Sequence, residues 1–240
     1  MNKQQTSSRV ILNKKKYLIK LKEENYFNST RWDLIRLIRN GNNKILEIGC
    51  GTGNTGRALK ESGKAAGVIG VEIIPEIAKI AETKLDKVIC GDIEVLDLHF
   101  DRGYFDYVIM GDVLEHLYDP WGVVSKVRHY IKDGGYIIAS LPNIRNWRIM
   151  KNLILKGEWE YTDAGLLDNT HLRFFTKKSI IKLFEDNGFG EIEIVPAFKT
   201  KSKKNKSNLI NVLTLGLFEE FLTGQYIVKA RKLWTIQKFQ

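Results

Sequence analysis

The sequence predicts a doubly wound α/β domain, and three observations carry that expectation. From Lys44 onward, short apolar runs alternate with longer amphipathic stretches. The first of the apolar runs ends in a glycine-rich turn that opens a helix. The chain has 240 residues, 43% hydrophobic and 28% charged, an ordinary globular balance with room for a sizeable core. Strands and helices alternating at this spacing form βαβ units, so the sheet is expected to be mostly parallel and covered on both faces.

Trp32, Ile35 and Ile38 recur at helical spacing over 31–39 and predict an N-terminal helix packed on the core. Strands are expected at 44–48, 67–72, 87–90, 105–110 and 135–142, with helices over 55–62, 75–83 and around 121–131 between them. The segment 143–176 breaks the rhythm: it is rich in Trp, Tyr, Arg and Asn, too long for a minimal turn, and placed after a strand end where a cap over a pocket would sit. A helix over 177–187 is stopped by Gly188, strands follow at 191–195 and 225–231, and between them lie a basic loop (199–207) and an apolar helix (209–222). No repeat or composition break divides the chain. It is read as an N-terminal extension over 1–28 and one domain over 29–240, with 143–176 as a cap-like insertion.

The net charge of +10 is peripheral: residues 1–44 hold 11 basic against 3 acidic groups, and residues 196–240 hold 9 against 2. Such ends attract a phosphorylated substrate, nucleic acid or an anionic surface. The 199–207 loop lacks interleaved aromatics, so base stacking is not expected and nucleic acid is not favoured. The stretch 208–222 is a candidate for peripheral membrane contact, a dimer contact or packing on the sheet edge. Cys50 and Cys90 stand far apart, outside metal-ligand spacing, and read as reduced thiols of a cytoplasmic protein. No signal region or long apolar span is evident.

The sharpest local signal is ILEIGCGTGNTG (45–56). Its glycines allow positive φ and close approach of a ligand, and the following helix offers unpaired N–H groups. Gly51, Gly53 and Gly56 alone satisfy GxGxxG, which keeps an NAD(P)-dependent oxidoreductase in play. Glu47, ending the strand, is badly placed beside a pyrophosphate and well placed for a ligand ammonium. Further acids follow at successive strand ends. Glu72 could accept both hydroxyls of a ribose, Asp92 could accept from an exocyclic amine, and Gly111 with Asp112 would line the remaining side.

These residues, with GVE (70–72), GDI (91–93), FDYVIMGDVLEHLYDP (105–120) and GGYIIASLPN (134–143), make the chain resemble the class I S-adenosylmethionine-dependent methyltransferases, especially the small bacterial ubiquinone-biosynthesis-like and glycan-associated ones. The resemblance covers about residues 30–195. It implies a seven-stranded sheet with an antiparallel last strand in a three-layer αβα sandwich, and S-adenosyl-L-methionine as cofactor. Glu47 and the Gly49–Cys50–Gly51 turn would then hold the methionine part, Glu72 with Ile73 the ribose, and Asp92 with Ile93 the adenine. Gly111 and Asp112 would bound the sulfonium, and Tyr26 and Phe27 would close over the cofactor.

Methyl transfer from a sulfonium is an in-line displacement that needs alignment and control of the acceptor's proton. His116, just past the fourth strand, and His171, in DNTHLRFFT (168–176), are the candidate bases or acceptor contacts, and Arg173 could fork a carboxylate or phosphate, as could Arg145 and Arg148. Asp163, Asp168 and Asn169 lack an octahedral arrangement, so no metal is expected. The branch resemblance favours oxygen, or else nitrogen, of a small polar, sugar-bearing or glycan-linked acceptor. RNA, a quinone or a lipid is the alternative, and a noncatalytic cofactor-binding protein is the alternative of another class. A monomer or homodimer is expected.

Overall fold

A run such as Ile45-Leu46-Glu47-Ile48, buried at every position, has no solvent face to alternate with and can only be an interior strand. The computed structural model, which describes residues 27–197 and 218–234, places it in a seven-stranded sheet of order β3-β2-β1-β4-β5-β7-β6. The strands are β1 (Asn43–Ile48), β2 (Ala65–Glu72), β3 (Lys87–Cys90), β4 (Phe105–Gly111), β5 (Ile131–Pro142), β6 (Phe189–Pro196) and β7 (Gln225–Lys232). The helices are α1 (Trp32–Ile35), α2 (Asn54–Glu61), α3 (Pro75–Ala81), α4 (Pro120–Tyr130), α5 (Trp147–Lys156), α6 (Lys177–Glu185) and α7 (Glu219–Leu222). This is the expected Rossmann-like α/β fold. Two structural units divide it, Met1–His99 and Phe100–Gln240.

In the first unit β1 pairs with β2 and β2 with β3, both parallel. Leu59 and Ala58 of α2 and Ala78 and Ala81 of α3 are buried, as are Ile45, Leu46, Val68 and Val71 of the strands. The helix expected over 31–39 is a single α-turn, Trp32–Ile35, followed by i→i+3 bonds from Leu37 N to Leu34 O and from Ile38 N to Ile35 O. Leu34, Ile35 and Ile38 are buried, whereas Trp32, expected in the core, is 61% exposed.

In the second unit β4 and β5 are parallel, and β7 runs antiparallel to both β5 and β6. Asp119 caps α4, accepting from Gly122 N at 2.9 Å, and Pro120 fills the first helical position. Thr176 and Ser179 form a capping box on α6, and Gly188, at φ +73°, follows its end as expected. β6 alternates in burial, as a strand at the sheet edge does.

The two ends of the segment 143–176 meet. Asn143 bridges to Phe175, and Ile144 N donates to Phe175 O at 2.8 Å. The fully buried Asn143 side chain locks this neck, its Nδ2 donating to Glu220 O at 2.6 Å and Thr223 O at 2.9 Å while its Oδ1 accepts from Arg145 N at 3.1 Å. Asn143→Ala should cost about 2–4 kcal/mol by stranding those two carbonyls, lowering the melting temperature by about 5–10 °C in a thermal scan. Among the described residues no helix is long and apolar enough to cross a membrane. The basic loop 199–207, most of the helix expected over 209–222 and Tyr26 lie outside the described residues, and of the extension only residues 27 and 28 lie within them.

Candidate functional site

The glycine turn of the first unit is built as the sequence suggests. Gly49, Gly51 and Gly53 all have positive φ, and Gly49 N and Cys50 N both donate to Val71 O at the end of β2, at 2.8 and 3.1 Å. Residues 27 and 28 pack on the turn: Thr52 N and Thr52 Oγ1 donate to Phe27 O at 3.1 Å each, and Thr52 Oγ1 meets Asn28 Oδ1 at 2.9 Å. A Cβ on Gly51 would lie 2.7 Å from Phe27 O. Gly51→Ala should therefore break the Thr52–Phe27 bond, read as faster hydrogen exchange at the Thr52 amide together with a lower melting temperature.

Two buried carboxyls flank the turn. Glu47 is 5% exposed; the Gly56 N–H and Thr55 hydroxyl bond to its carboxyl, but Oε2 has no hydrogen-bond partner among the described residues. Burial pushes its pKa up to about 8, against the lowering effect of those bonds and with a further push from Glu72. Glu72 is held by two backbone donors, Gly51 N to Oε2 at 3.0 Å and Ile74 N to Oε1 at 2.9 Å. Burial raises its pKa too, by more than the N–H groups of Ile74, Gly51 and Ile73 lower it. Cys50, between the glycines, is buried, and desolvation together with the charges of Glu47 and Glu72 pushes its thiol well above the usual range, so it packs and does not react. At the end of β3, Asp92 Oδ1 accepts from Glu94 N at 3.0 Å, which orients the carboxylate, and Ile93 is buried beside it.

This set fits a cationic, hydroxyl-bearing ligand. An orphaned buried carboxylate oxygen suits an ammonium, a carboxylate fixed from behind by two N–H groups suits a diol, and the glycine turn admits a ligand where a Cβ would collide. A pyrophosphate would meet two buried acids.

In the second unit β4 ends at Gly111, and Asp112 follows at φ +55°. Asp112 N donates to Ser140 Oγ at 3.0 Å, and Ser140 Oγ and Gln225 Nε2 both donate to Asp112 Oδ1. Such a left-handed non-glycine residue, over-determined by three bonds, is a feature of functional sites. The next turn, a 3-10 segment over Leu114–His116, carries Glu115 and His116.

Against it folds the distant DNTHLRFFT stretch. Glu115 O accepts from Leu172 N at 2.8 Å and Arg173 N at 3.0 Å. His116 Nδ1 lies 3.1 Å from Thr170 O, and His171 Nδ1 lies 3.2 Å from Leu166 O. The two imidazoles meet edge to face at 4.8 Å. Burial, then the neighbouring His171, lowers the His116 pKa to about 4, leaving it neutral at pH 7. Asp168 Oδ1 pins the tight turn by accepting from Thr170 N at 2.9 Å and Thr170 Oγ1 at 2.7 Å.

The structure thus joins His116 and His171, which the sequence reading named separately, and adds Glu115, which it missed. The arginines go elsewhere. Arg173 donates through Nε and Nη2 to Tyr118 O and lies over the Trp121 ring, bracing 168–176 against 114–121. Arg145 pairs with Glu220 and covers the Phe221 ring, so the expected anion fork is a structural ion pair.

The chain is similar to the demethylmenaquinone methyltransferase of Lactococcus lactis, 28% identical over 191 residues, 69% of this chain and 76% of that one. It is also similar to the ubiquinone biosynthesis O-methyltransferase of Nitrobacter winogradskyi, 31% identical over 160 residues, 62% of this chain and 58% of the relative. Among solved structures, a SAM-dependent methyltransferase from Archaeoglobus fulgidus superposes with a TM-score of 0.60 at 24% identity, covering 87% of this chain and 97% of that one. The methyltransferase-domain family model matches residues 22–193, a span containing the glycine turn, the strand-end acids and both histidines; the chain belongs to this family and is an S-adenosylmethionine-dependent methyltransferase.

Proposed function

We propose that this enzyme methylates a hydroxyl oxygen of a small quinol-type acceptor. The cofactor supplies an electrophilic methyl group on a sulfonium. Glu47 would take the methionine ammonium, Glu72 the ribose hydroxyls and Asp92 with Ile93 the adenine, each role resting on the geometry above and on the family resemblance.

The buried group of Glu115, His116 and His171 carries the acceptor reading. A hydroxyl brought there meets a neutral imidazole and a carboxyl in a low-dielectric setting, where losing its proton is the step the protein must assist. Phenolic hydroxyls, with an unperturbed pKa of about 10, are the easiest to ionise. The named relatives that modify quinone precursors favour this class over a sugar-bearing acceptor. Leu153, Ile154 and Leu155 of α5 are exposed apolar residues suited to the hydrocarbon part of such an acceptor.

Purified enzyme should therefore convert a catechol or hydroquinone with S-adenosylmethionine to its methyl ether, detected by mass spectrometry, and His116→Ala should lower the rate by about 100-fold or more. Turnover of a nucleotide sugar or an RNA with none of the phenol would overturn this reading.

A further inference from the structure

We propose that Gln225, the first residue of β7, is a positioning residue for the methyl transfer: with Ser140 it holds the Asp112 carboxylate where its charge steadies the His116 imidazolium that forms as the acceptor's hydroxyl gives up its proton. This deepens the acceptor reading above and rests on it for its catalytic consequence.

The topology delivers the three side chains to one point. β7 runs antiparallel to β5, so it begins where the parallel strands β4 and β5 end. Gly111 pairs with Ser140, and Pro142 with Gln225. Gln225 O accepts from Ala197 N at 2.8 Å, which fixes the root of the side chain. Ser140 is fully buried; its Oγ accepts from Asp112 N and donates to Asp112 Oδ1, at 3.0 Å each, and Gln225 Nε2 donates to the same oxygen. Two donors on one oxygen stop the carboxylate from turning and help to hold Asp112 at φ +55°. Both donors are neutral, so they orient the carboxylate and leave its charge in place, whereas a lysine or arginine would cancel it.

That charge acts on His116. Burial and the neighbouring His171 oppose protonation of the ring, and the Thr170 carbonyl, Asp168 and Asp112 favour it. A carbonyl oxygen only accepts, so Nδ1, facing Thr170 O, carries the ring proton and leaves Nε2 to receive another. In the transfer the acceptor's O–H bond breaks as its O–CH3 bond forms, and the electron pair of the broken S–CH3 bond stays on sulfur. The proton goes to His116 Nε2 and from there to solvent. Asp168 is held within its own turn by Thr170 N and Thr170 Oγ1, whereas Asp112 is aimed by residues of two other strands. Its aim can therefore be changed without touching either histidine. Gln225 lies beyond the matched span 22–193, so the family resemblance does not carry this role.

Gln225→Met keeps the length of the side chain and removes the donor. In protein with an unchanged circular dichroism spectrum it should lower kcat for a catechol by about 10-fold, with the catechol KM and the S-adenosylmethionine Kd within about twofold of wild type. Asp112→Asn should lower kcat at least as far, and the double variant no further than Asp112→Asn alone. The Asp112 amide, bonded to Ser140 Oγ, should exchange its hydrogen faster in Gln225→Met, a readout that needs no acceptor. Wild-type kcat in Gln225→Met, or losses that add in the double variant, would overturn the proposal. Absence of turnover of any phenol by the wild type, with faster Asp112 exchange in Gln225→Met, would sink the acceptor reading and the catalytic consequence drawn from it, and would leave the hold of Gln225 on Asp112 standing.

Discussion

Glu47→Gln is expected to weaken S-adenosylmethionine binding by about 100-fold or more at pH 8, because it removes a buried carboxylate whose Oε2 has no partner among the described residues. The raised pKa adds a pH signature. With a value of about 8, the ligand-free carboxyl is mostly protonated at pH 7. An ammonium beside it favours the ionised form, so binding at pH 6–7, where the ligand's own α-amino group (unperturbed pKa about 8) is still protonated, should release up to one proton. Calorimetry in two buffers of different ionisation enthalpy measures the proton, and in Glu47→Gln it should vanish.

Stability changes in the opposite direction. A carboxyl whose folded pKa lies above its unfolded value of 4.5 leaves stability intact below that value and erodes it as pH rises through about 8. The ligand-free wild type should therefore lose stability from pH 5 to pH 8, on the order of a few kcal/mol and read as a falling melting temperature, and Glu47→Gln should show a much flatter profile. The same residue would then cost stability in the empty protein and supply affinity in the complex.

Glu72→Ala should produce the second large effect. Its two carboxylate oxygens are fixed by Gly51 N and Ile74 N, which leaves their outer lone pairs for two adjacent hydroxyls. Losing a pair of charge-assisted hydrogen bonds should cost about 100-fold or more in affinity for both S-adenosylmethionine and S-adenosylhomocysteine. A cofactor analogue lacking the ribose 2′-hydroxyl should bind wild type poorly and lose little further in the variant. An unchanged dissociation constant in Glu72→Ala would remove Glu72 from the cofactor site.

Local features carried most of the fold. The buried run of β1, the Thr176 start and Gly188 stop of α6, and the strand-end acids are each written within a few residues, where hydrophobic period and capping act. Trp32 misled because apolar spacing alone does not say which residues of a four-residue helix face inward; Leu34 is buried where Trp32 was expected. The acceptor group was only half legible. His116 and His171 stand 55 positions apart, and their meeting depends on backbone bonds from 172 and 173 to Glu115 O that leave no trace in composition. Glu115 went unremarked for the same reason. Arg145 looked like an anion binder because its partner, Glu220, lies 75 residues away.

The central claim is that the glycine turn and its two buried acids serve S-adenosylmethionine. Calorimetric titration of the purified chain with S-adenosylmethionine, S-adenosylhomocysteine and NAD, with Glu47→Gln in parallel, tests it most directly. Saturable one-to-one binding of the first two, weakened in the variant, with no heat from NAD is the predicted result; NAD binding that equals or exceeds theirs, or cofactor binding indifferent to Glu47, would contradict it.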